Sequence, residues 1–275
     1  MLMPVQKEVK VADIRIANNL PFALFAGPCV IESRDGCMAI ADKLVKLSRR
    51  QNIPLVFKAS YDKANRTSIN SYRGPGIAKG LEILSEIKEK YNVPVLTDVH
   101  SVEEIHIAAK VVDIIQLPAF MIRQTDFVVA AGESGAVVNV KKAQFAAPWD
   151  MANVVKKIES TGNTKILLTE RGASFGYNTL VADMRSLIIM REMGYPVIFD
   201  ATHSVQSPGG QGDTSGGDGR FAPYLAKAAA AVGVDGMFIE THPDPSQALS
   251  DGPNMIPTQD LSRLWKKLNA IDEVK

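Results

Sequence analysis

The chain has 275 residues, 46% of them hydrophobic and 22% charged, a composition typical of a folded globular protein rather than a disordered or collagen-like chain. Its 31 basic and 30 acidic residues leave a formal net charge of +1, so no overall field attracts nucleic acid or an anionic membrane. No stretch reaches the ~18 consecutive apolar residues of a membrane span, and we expect no signal peptide because the N-terminal residues lack its apolar core. The two cysteines, Cys29 and Cys37, favour a reducing cytoplasm over a disulfide framework.

Short apolar runs that end in polar or charged residues recur along the chain. Each run is rich in β-branched or aromatic residues without polar alternation, which is typical of strands buried on both faces of a parallel sheet. The eight runs are 21–30, 54–60, 94–100, 112–119, 136–143, 165–172, 196–204 and 236–243.

Between these runs, apolar residues recur at spacings of three and four, which predicts amphipathic helices. The predicted helical stretches are 35–51, 76–91, 101–112, 149–160, 179–194, 223–233 and 257–272. Pro54, Pro94 and Pro196 each follow a predicted helix end and open a predicted strand, as expected where a helix returns to a strand.

Eight β-α units predict the α/β class and a closed (β/α)8 TIM barrel, formed by a single domain over residues 1–275. A doubly wound open sheet is the alternative, but the segment GPCVIESRDG after the first run lacks the G-x-G-x-x-G fingerprint of that fold. Residues 5–20 precede the first unit and are predicted to form a hairpin-like extension that closes the barrel floor.

The carboxyl ends of the strands carry the reactive groups in such barrels. Several cations fall there, and Arg and Lys are the side chains that bind phosphate and carboxylate groups. These cations are Lys58, Lys63, Arg66, Lys141 and Arg171, with Arg73 and Arg123 nearby. The pattern predicts an anionic ligand, although such residues also pair with acidic side chains or face solvent.

A second set at the strand ends consists of Cys29, His203, Glu240 and Asp251. A thiol, an imidazole and two carboxylates are ligands for first-row divalent metals. The four residues are scattered along the chain without a spacing signature, so a buried, metal-free Cys29 remains open at this point.

Two loops in the sequence have compositions suited to an active-site mouth. The segment 203–220 contains six glycines and directly follows a predicted strand end, which indicates a mobile lid rather than a tolerated surface insertion. The segment 60–76 mixes cations with Asn65, Thr67 and Ser68, a composition that can hold a phosphate.

Eight segments of the chain together resemble one enzyme family. They are FKASYDKANRTS (57–68), SYRGPG (71–76), LTDVH (96–100), DIIQLPAF (113–120), NVKKAQF (139–145), ERGASFGY (170–177), IFDATHS (198–204) and IETHPDP (239–245). In this order they resemble the 3-deoxy-D-manno-octulosonate 8-phosphate synthases, also called 2-dehydro-3-deoxyphosphooctonate aldolases, over nearly the whole chain. The block at 57–68 separates this family from the related 3-deoxy-arabino-heptulosonate 7-phosphate synthases, which use erythrose 4-phosphate.

The resemblance implies a cytoplasmic barrel, generally a homotetramer, that condenses phosphoenolpyruvate with D-arabinose 5-phosphate and water for lipopolysaccharide biosynthesis. It assigns phosphoenolpyruvate to Lys63, Lys141, Arg171 and Gln116, with Lys58 and Ser60 near its carboxylate. It assigns arabinose 5-phosphate to Asn65, Arg66 and Thr67, with Arg123 completing a phosphate site across a subunit boundary. The residues expected to take part in the chemistry are Lys63, Asp98, Lys141, His203 and Asp251.

The family also divides into metal-dependent and metal-independent members, and the latter have Asn at the position of Cys29. Because this chain carries Cys29 together with His203, Glu240 and Asp251, the resemblance implies a four-ligand site for Fe, Zn or Mn. Three rival interpretations remain: the seven-carbon synthase, a Schiff-base aldolase that uses Lys58 or Lys141, and a non-catalytic barrel that binds anionic sugars.

Overall fold

The computed structural model describes residues 6–210 and 215–274. Within these residues, eight parallel strands pair in chain order and the last pairs with the first, so the sheet closes into a barrel. The strands are β1 (Ala23–Gly27), β2 (Leu55–Lys58), β3 (Val95–Asp98), β4 (Ile114–Leu117), β5 (Val137–Lys141), β6 (Ile166–Glu170), β7 (Val197–Asp200) and β8 (Gly236–His242). The predicted (β/α)8 barrel is confirmed.

An α-helix follows each strand. The helices are α1 (Arg34–Gln51), α2 (Ile77–Tyr91), α3 (Val102–Ala108), α4 (Thr125–Glu133), α5 (Met151–Glu159), α6 (Arg185–Arg191), α7 (Ala222–Val232) and α8 (Leu261–Asp272). Among the described residues, none of the helices has both the length and the apolar character to cross a membrane.

One helix was not predicted, and one predicted helix was wrong in part. The α4 segment is absent from the predicted helices because its residues are apolar on adjacent positions, including Val128, Ala130 and Ala131, so no clear spacing of three and four appears. The predicted helix 179–194 begins only at Arg185, since Leu180–Val181 pairs antiparallel with Ala173–Ser174 instead.

Left-handed residues end the helices ahead of the prolines. Asn52 and Asn92 adopt φ values of 51° and 50° after α1 and α2, and Gly194 has a φ of 82° after α6. Asn and Gly tolerate this conformation better than other residues, which allows the chain to leave the helix. The predicted return from helix to strand at Pro54, Pro94 and Pro196 is thereby confirmed.

The N-terminal extension is a hairpin of two short antiparallel strands, Val9–Val11 and Ile14–Ile16. Its buried side chains Val9, Val11 and Ile16 belong to one apolar cluster with the inward residues of the barrel strands, among them Phe25 and Leu96. The hairpin therefore plugs the amino-terminal end of the barrel, as predicted.

The barrel interior has two layers of opposite character. The lower layer is apolar and consists of Phe25, Val56, Leu96, Ile114, Val137, Leu167, Ile198 and Phe238. Because side chains alternate between the faces of a strand, the next inward position lies two residues further on. On seven strands that position carries a buried polar or charged side chain: Lys58, Asp98, Gln116, Asn139, Thr169, Asp200 and Glu240. This polar layer is the floor of the site described below.

Candidate functional site

A cavity of about 460 Å³ opens at the carboxyl ends of the strands. Eleven of the residues predicted for the site line it: Lys58, Lys63, Asn65, Arg66, Thr67, Asp98, Gln116, Lys141, Arg171, His203 and Asp251. The parallel barrel explains this convergence, since every strand delivers its carboxyl end to the same side of the molecule.

Four predicted site residues lie outside this lining. Cys29, Ser60 and Glu240 are buried and contact lining residues from beneath. Arg123 is exposed on the loop between β4 and α4 and does not line the cavity of this chain. Its predicted contribution across a subunit boundary stays a prediction.

Asp98 contacts three polar side chains from two neighbouring elements, the loop after β2 and strand β4. Its Oδ2 accepts from Ser60 Oγ at 2.8 Å and from Lys63 Nζ at 3.3 Å, and its Oδ1 accepts from Gln116 Nε2 at 2.5 Å. Burial opposes ionisation of this carboxyl, but Lys63 and Lys58 outweigh it and hold the pKa of Asp98 below its usual range. Asp98 is therefore an anion that keeps Lys63 charged at the cavity wall.

Lys58 and Glu240 form a fully buried ion pair, with Lys58 Nζ 2.6 Å from Glu240 Oε1. Lys58 Nζ also donates to the carbonyl oxygen of Cys29 at 2.9 Å. Burial by itself lowers the pKa of Lys58, yet the charge of Glu240 raises it above the ordinary value. Because Lys58 lies in a buried ion pair with Glu240, it is a cation rather than a nucleophile, which argues against Lys58 as a Schiff-base residue.

Asp200 is a site residue that sequence reasoning missed. Its Oδ2 contacts both Lys141 Nζ and His203 Nδ1, the latter at 2.7 Å, and its Oδ1 accepts from the His203 backbone at 2.8 Å and from Thr202 Oγ1 at 3.1 Å. The signal available in the sequence was an aspartate at a strand end, three residues before a histidine. Asp200 holds Lys141 and His203 in place together.

Two arginines present unused donors to the cavity. Arg171 Nη2 donates to Gln206 Oε1 at 2.8 Å and Arg66 Nε donates to the Tyr72 carbonyl oxygen at 2.9 Å. Within the described part of the chain, the buried atoms Arg171 Nη1 and Arg66 Nη2 have no hydrogen-bond partner. Because buried guanidinium donors are rarely left unpaired, these atoms indicate anionic oxygens as the missing partners.

The predicted metal ligands come together at one side of the cavity floor. Ligand atoms of Cys29, Glu240 and Asp251 all lie within 4.8 Å of one another. His203 Nε2 is 3.6 Å from Glu240 Oε1 and 3.9 Å from Asp251 Oδ2. Asp251 adopts a left-handed φ of 52°, so the backbone is strained at this position.

The donor set fits a divalent cation. The carboxylate of Asp200 only accepts hydrogen bonds, so His203 Nδ1 carries a proton. In the neutral ring, Nε2 then presents its lone pair toward the carboxylates of Glu240 and Asp251, as a metal ligand would. Burial and the nearby charge of Glu240 raise the pKa of the Cys29 thiol well above its ordinary value. A bound cation reverses that shift by displacing the thiol proton.

The glycine-rich segment lies beside the same cavity. Gln206–Ser207 pairs antiparallel with Gly216–Gly217, and Gln206, Pro208 and Gly209 line the cavity. Residues 211–214, which include Gly212, lie outside the described residues, and the lid itself stays a prediction. A side chain at Gly217 would clash with Asn254, since its Cβ would lie 1.6 Å from Asn254 Oδ1.

Comparison with known proteins gives matches along nearly the full chain. The model of the DAHP synthetase I family matches residues 3–274. A 2-dehydro-3-deoxyphosphooctonate aldolase of Granulibacter bethesdensis is 60% identical over 264 residues, which cover 96% of this chain and 94% of the relative. Proteins of the same name from Geotalea uraniireducens and Geobacter metallireducens are 58% and 56% identical over 268 residues, 98% of each chain.

Proposed function

The chain belongs to the DAHP synthetase I family, with the 2-dehydro-3-deoxyphosphooctonate aldolases among its relatives, and on this premise we propose that it condenses phosphoenolpyruvate with D-arabinose 5-phosphate and water. The products are 3-deoxy-D-manno-octulosonate 8-phosphate and inorganic phosphate. The observation that carries the proposal is one cavity lined by Lys58, Lys63, Arg66, Lys141 and Arg171. Two phosphates and a carboxylate need this concentration of positive charge.

The cations divide between the two substrates. Phosphoenolpyruvate is assigned to Lys63, Gln116, Lys141 and Arg171, with Lys58 and Ser60 on the side of its carboxylate. Arabinose 5-phosphate is assigned to Asn65, Arg66 and Thr67. In the part of the chain that the structure describes, Arg171 Nη1 and Arg66 Nη2 have no hydrogen-bond partner, and this supports the division because each group then has one donor available for its substrate.

In the proposed reaction, C3 of phosphoenolpyruvate forms a bond to the aldehyde carbon of open-chain arabinose 5-phosphate, and the aldehyde oxygen takes up a proton. A water oxygen adds at C2 and loses one proton, which balances the proton that the aldehyde oxygen takes up. The resulting hemiketal phosphate breaks its C2–O bond to phosphate, and its hydroxyl proton passes to the departing phosphate, which leaves a ketone and free phosphate. The cavity cations stabilise the phosphate and carboxylate charges and hold the two substrates together, and well-oriented reactants in general gain up to roughly 7–11 kcal/mol in this way.

We propose that Cys29, His203, Glu240 and Asp251 hold a divalent Fe, Zn or Mn ion. When bound, such an ion supplies Lewis acidity toward the aldehyde, its neighbouring hydroxyl or water. Lys58 already balances one of the two carboxylates, and Asp200 orients the imidazole of His203 through Nδ1. The mixed thiol, imidazole and carboxylate set suits these first-row metals.

Replacing Cys29 with Asn tests the metal assignment. We expect Cys29→Asn to lose most of the sensitivity to chelators while some synthase activity remains, because the thiolate ligand is gone but the cation-lined cavity is intact. The measurement is metal content by elemental analysis together with phosphate release, before and after dialysis against chelator. The control variant is Cys37→Ala. Asparagine is unsuitable at this position because Cys37 packs in the core, where an amide would be buried. Full wild-type activity after exhaustive chelation contradicts a metal requirement.

We also propose a cytoplasmic homotetramer that supplies lipopolysaccharide biosynthesis. Two free cysteines support a reducing compartment. Exposed aromatic side chains on the loops after β4, β5 and β6 support association with further copies. These side chains are Phe120, Phe145, Trp149, Phe175 and Tyr177. Light scattering tests the tetramer, and a monomeric mass contradicts it.

The function is tested by phosphate release from phosphoenolpyruvate with a panel of aldose phosphates, with and without chelator. We expect arabinose 5-phosphate to be the preferred acceptor. Preference for erythrose 4-phosphate identifies the seven-carbon synthase instead. Substrate trapped on the protein by borohydride identifies a Schiff-base aldolase, and binding without phosphate release identifies a non-catalytic barrel.

A further inference from the structure

A buried chain of four polar side chains crosses the barrel interior. The residues are Asp98 on β3, Gln116 on β4, Asn139 on β5 and Thr169 on β6, and each is at most 6% exposed. Gln116 Nε2 donates to Asp98 Oδ1 at 2.5 Å, Asn139 Nδ2 donates to Gln116 Oε1 at 2.8 Å, and Thr169 Oγ1 donates to Asn139 Oδ1 at 2.7 Å. Asp98 and Gln116 line the cavity, whereas Asn139 and Thr169 lie behind them.

The direction of every hydrogen bond in this chain is set from its Asp98 end. An ionised carboxylate only accepts, so Gln116 must turn its NH2 group toward Asp98 and its oxygen toward Asn139. Asn139 must then offer its own NH2 group, which leaves its oxygen for the hydroxyl of Thr169. The hydroxyl of Thr169 donates to that oxygen, so Asn139 and Thr169 support the amide orientation that the Asp98 end sets.

We propose that Asn139 and Thr169 are positioning residues that hold the Gln116 amide in the orientation required to bind phosphoenolpyruvate, an inference that rests on the proposed function. Gln116 Nε2 has two hydrogens, and Asp98 takes one of them. The second is the donor that Gln116 offers to an anion in the cavity. With the amide reversed, an oxygen takes that place and meets both the substrate anion and the carboxylate of Asp98.

A matched control lies on β3, the strand that carries Asp98. Thr97 on β3 is fully buried, like Thr169, but within the described residues its Oγ1 makes no hydrogen bond. It precedes Asp98 and so lies on the opposite face of the strand. Replacing either threonine with valine removes one buried hydroxyl and adds one methyl group. Only at Thr169 does this replacement remove a hydrogen bond from the buried row of polar side chains.

The experiment compares Thr169→Val, Thr169→Ser and Thr97→Val. We expect Thr169→Val to raise the KM and the calorimetric Kd for phosphoenolpyruvate about tenfold, the effect of losing one buried hydrogen-bond partner. The KM for arabinose 5-phosphate should change less than about twofold. Thr169→Ser keeps the hydroxyl and should bind phosphoenolpyruvate as the wild type does, as should Thr97→Val.

The proposal is overturned if Thr169→Val binds phosphoenolpyruvate as tightly as Thr97→Val, or if it lowers only the melting temperature. If Thr169→Val does not fold, phosphoenolpyruvate binding is compared between Thr169→Ala, which lacks the hydroxyl, and Thr169→Ser, which keeps it. Weaker binding by Thr169→Ala supports the proposal, and equal binding overturns it. A wild-type chain that binds phosphoenolpyruvate but forms no product contradicts the proposed function and leaves the calorimetric comparison intact. A wild-type chain that does not bind phosphoenolpyruvate overturns both.

Discussion

Replacing Lys63 with methionine is expected to lower kcat/KM for phosphoenolpyruvate about 1,000-fold, equivalent to ~4 kcal/mol. The Lys63 ammonium lies 3.3 Å from Asp98 Oδ2, and both side chains are largely buried. Methionine keeps much of the side-chain volume but leaves Asp98 with one cation fewer. The negative charge of Asp98 is then less compensated, and it repels the negatively charged phosphoenolpyruvate that Lys63 would otherwise attract.

Phosphate release under saturating arabinose 5-phosphate measures this effect. The control is Lys79→Met on α2, where the lysine is exposed and forms an ion pair with Glu82, and it should keep wild-type activity. A loss smaller than about tenfold for Lys63→Met indicates that this cation is not required.

Asp200→Asn is expected to reduce kcat/KM by about 100- to 1,000-fold and to weaken metal retention about 10- to 100-fold. Asparagine is neutral, and its single oxygen replaces either Oδ2, which contacts Lys141 and His203 Nδ1, or Oδ1, which accepts from the His203 backbone, but not both. Burial already lowers the pKa of Lys141, and Asp200 is the anion that opposes this shift. Removal of the negative charge therefore favours neutral Lys141, and His203 loses the partner that sets the proton on Nδ1.

Metal content after dialysis against graded chelator concentrations separates the two effects of Asp200→Asn. Asp218→Asn is the matched control, since Asp218 pairs with the exposed Arg220 and lies outside the cavity lining. It should leave activity and metal content unchanged. Wild-type metal retention in Asp200→Asn contradicts the orienting role toward His203, and unchanged kcat/KM contradicts the role toward Lys141.

The order and type of most elements were predictable because their signals are local. A buried strand needs a run of apolar residues and an amphipathic helix needs spacings of three and four, and both are visible within one window of sequence. Helix α4 shows the limit of this approach, since nearly continuous apolar residues such as Phe127 and Val128 carry little helical periodicity. Leu180 and Val181 show another limit, because their pairing with Ala173–Ser174 replaced a helix that the pattern favoured.

By itself, the sequence determined that eight strands would place Lys63, Arg66, Lys141 and Arg171 at one end of a barrel, because parallel strands share the direction of their carboxyl ends. Only the tertiary structure decided which anion each cation meets. Lys58 pairs with Glu240 across 182 positions of the chain, and this contact exists because β8 closes onto β1. Asn139 and Thr169 likewise acquire their roles from neighbours on other strands, so no local pattern marks them.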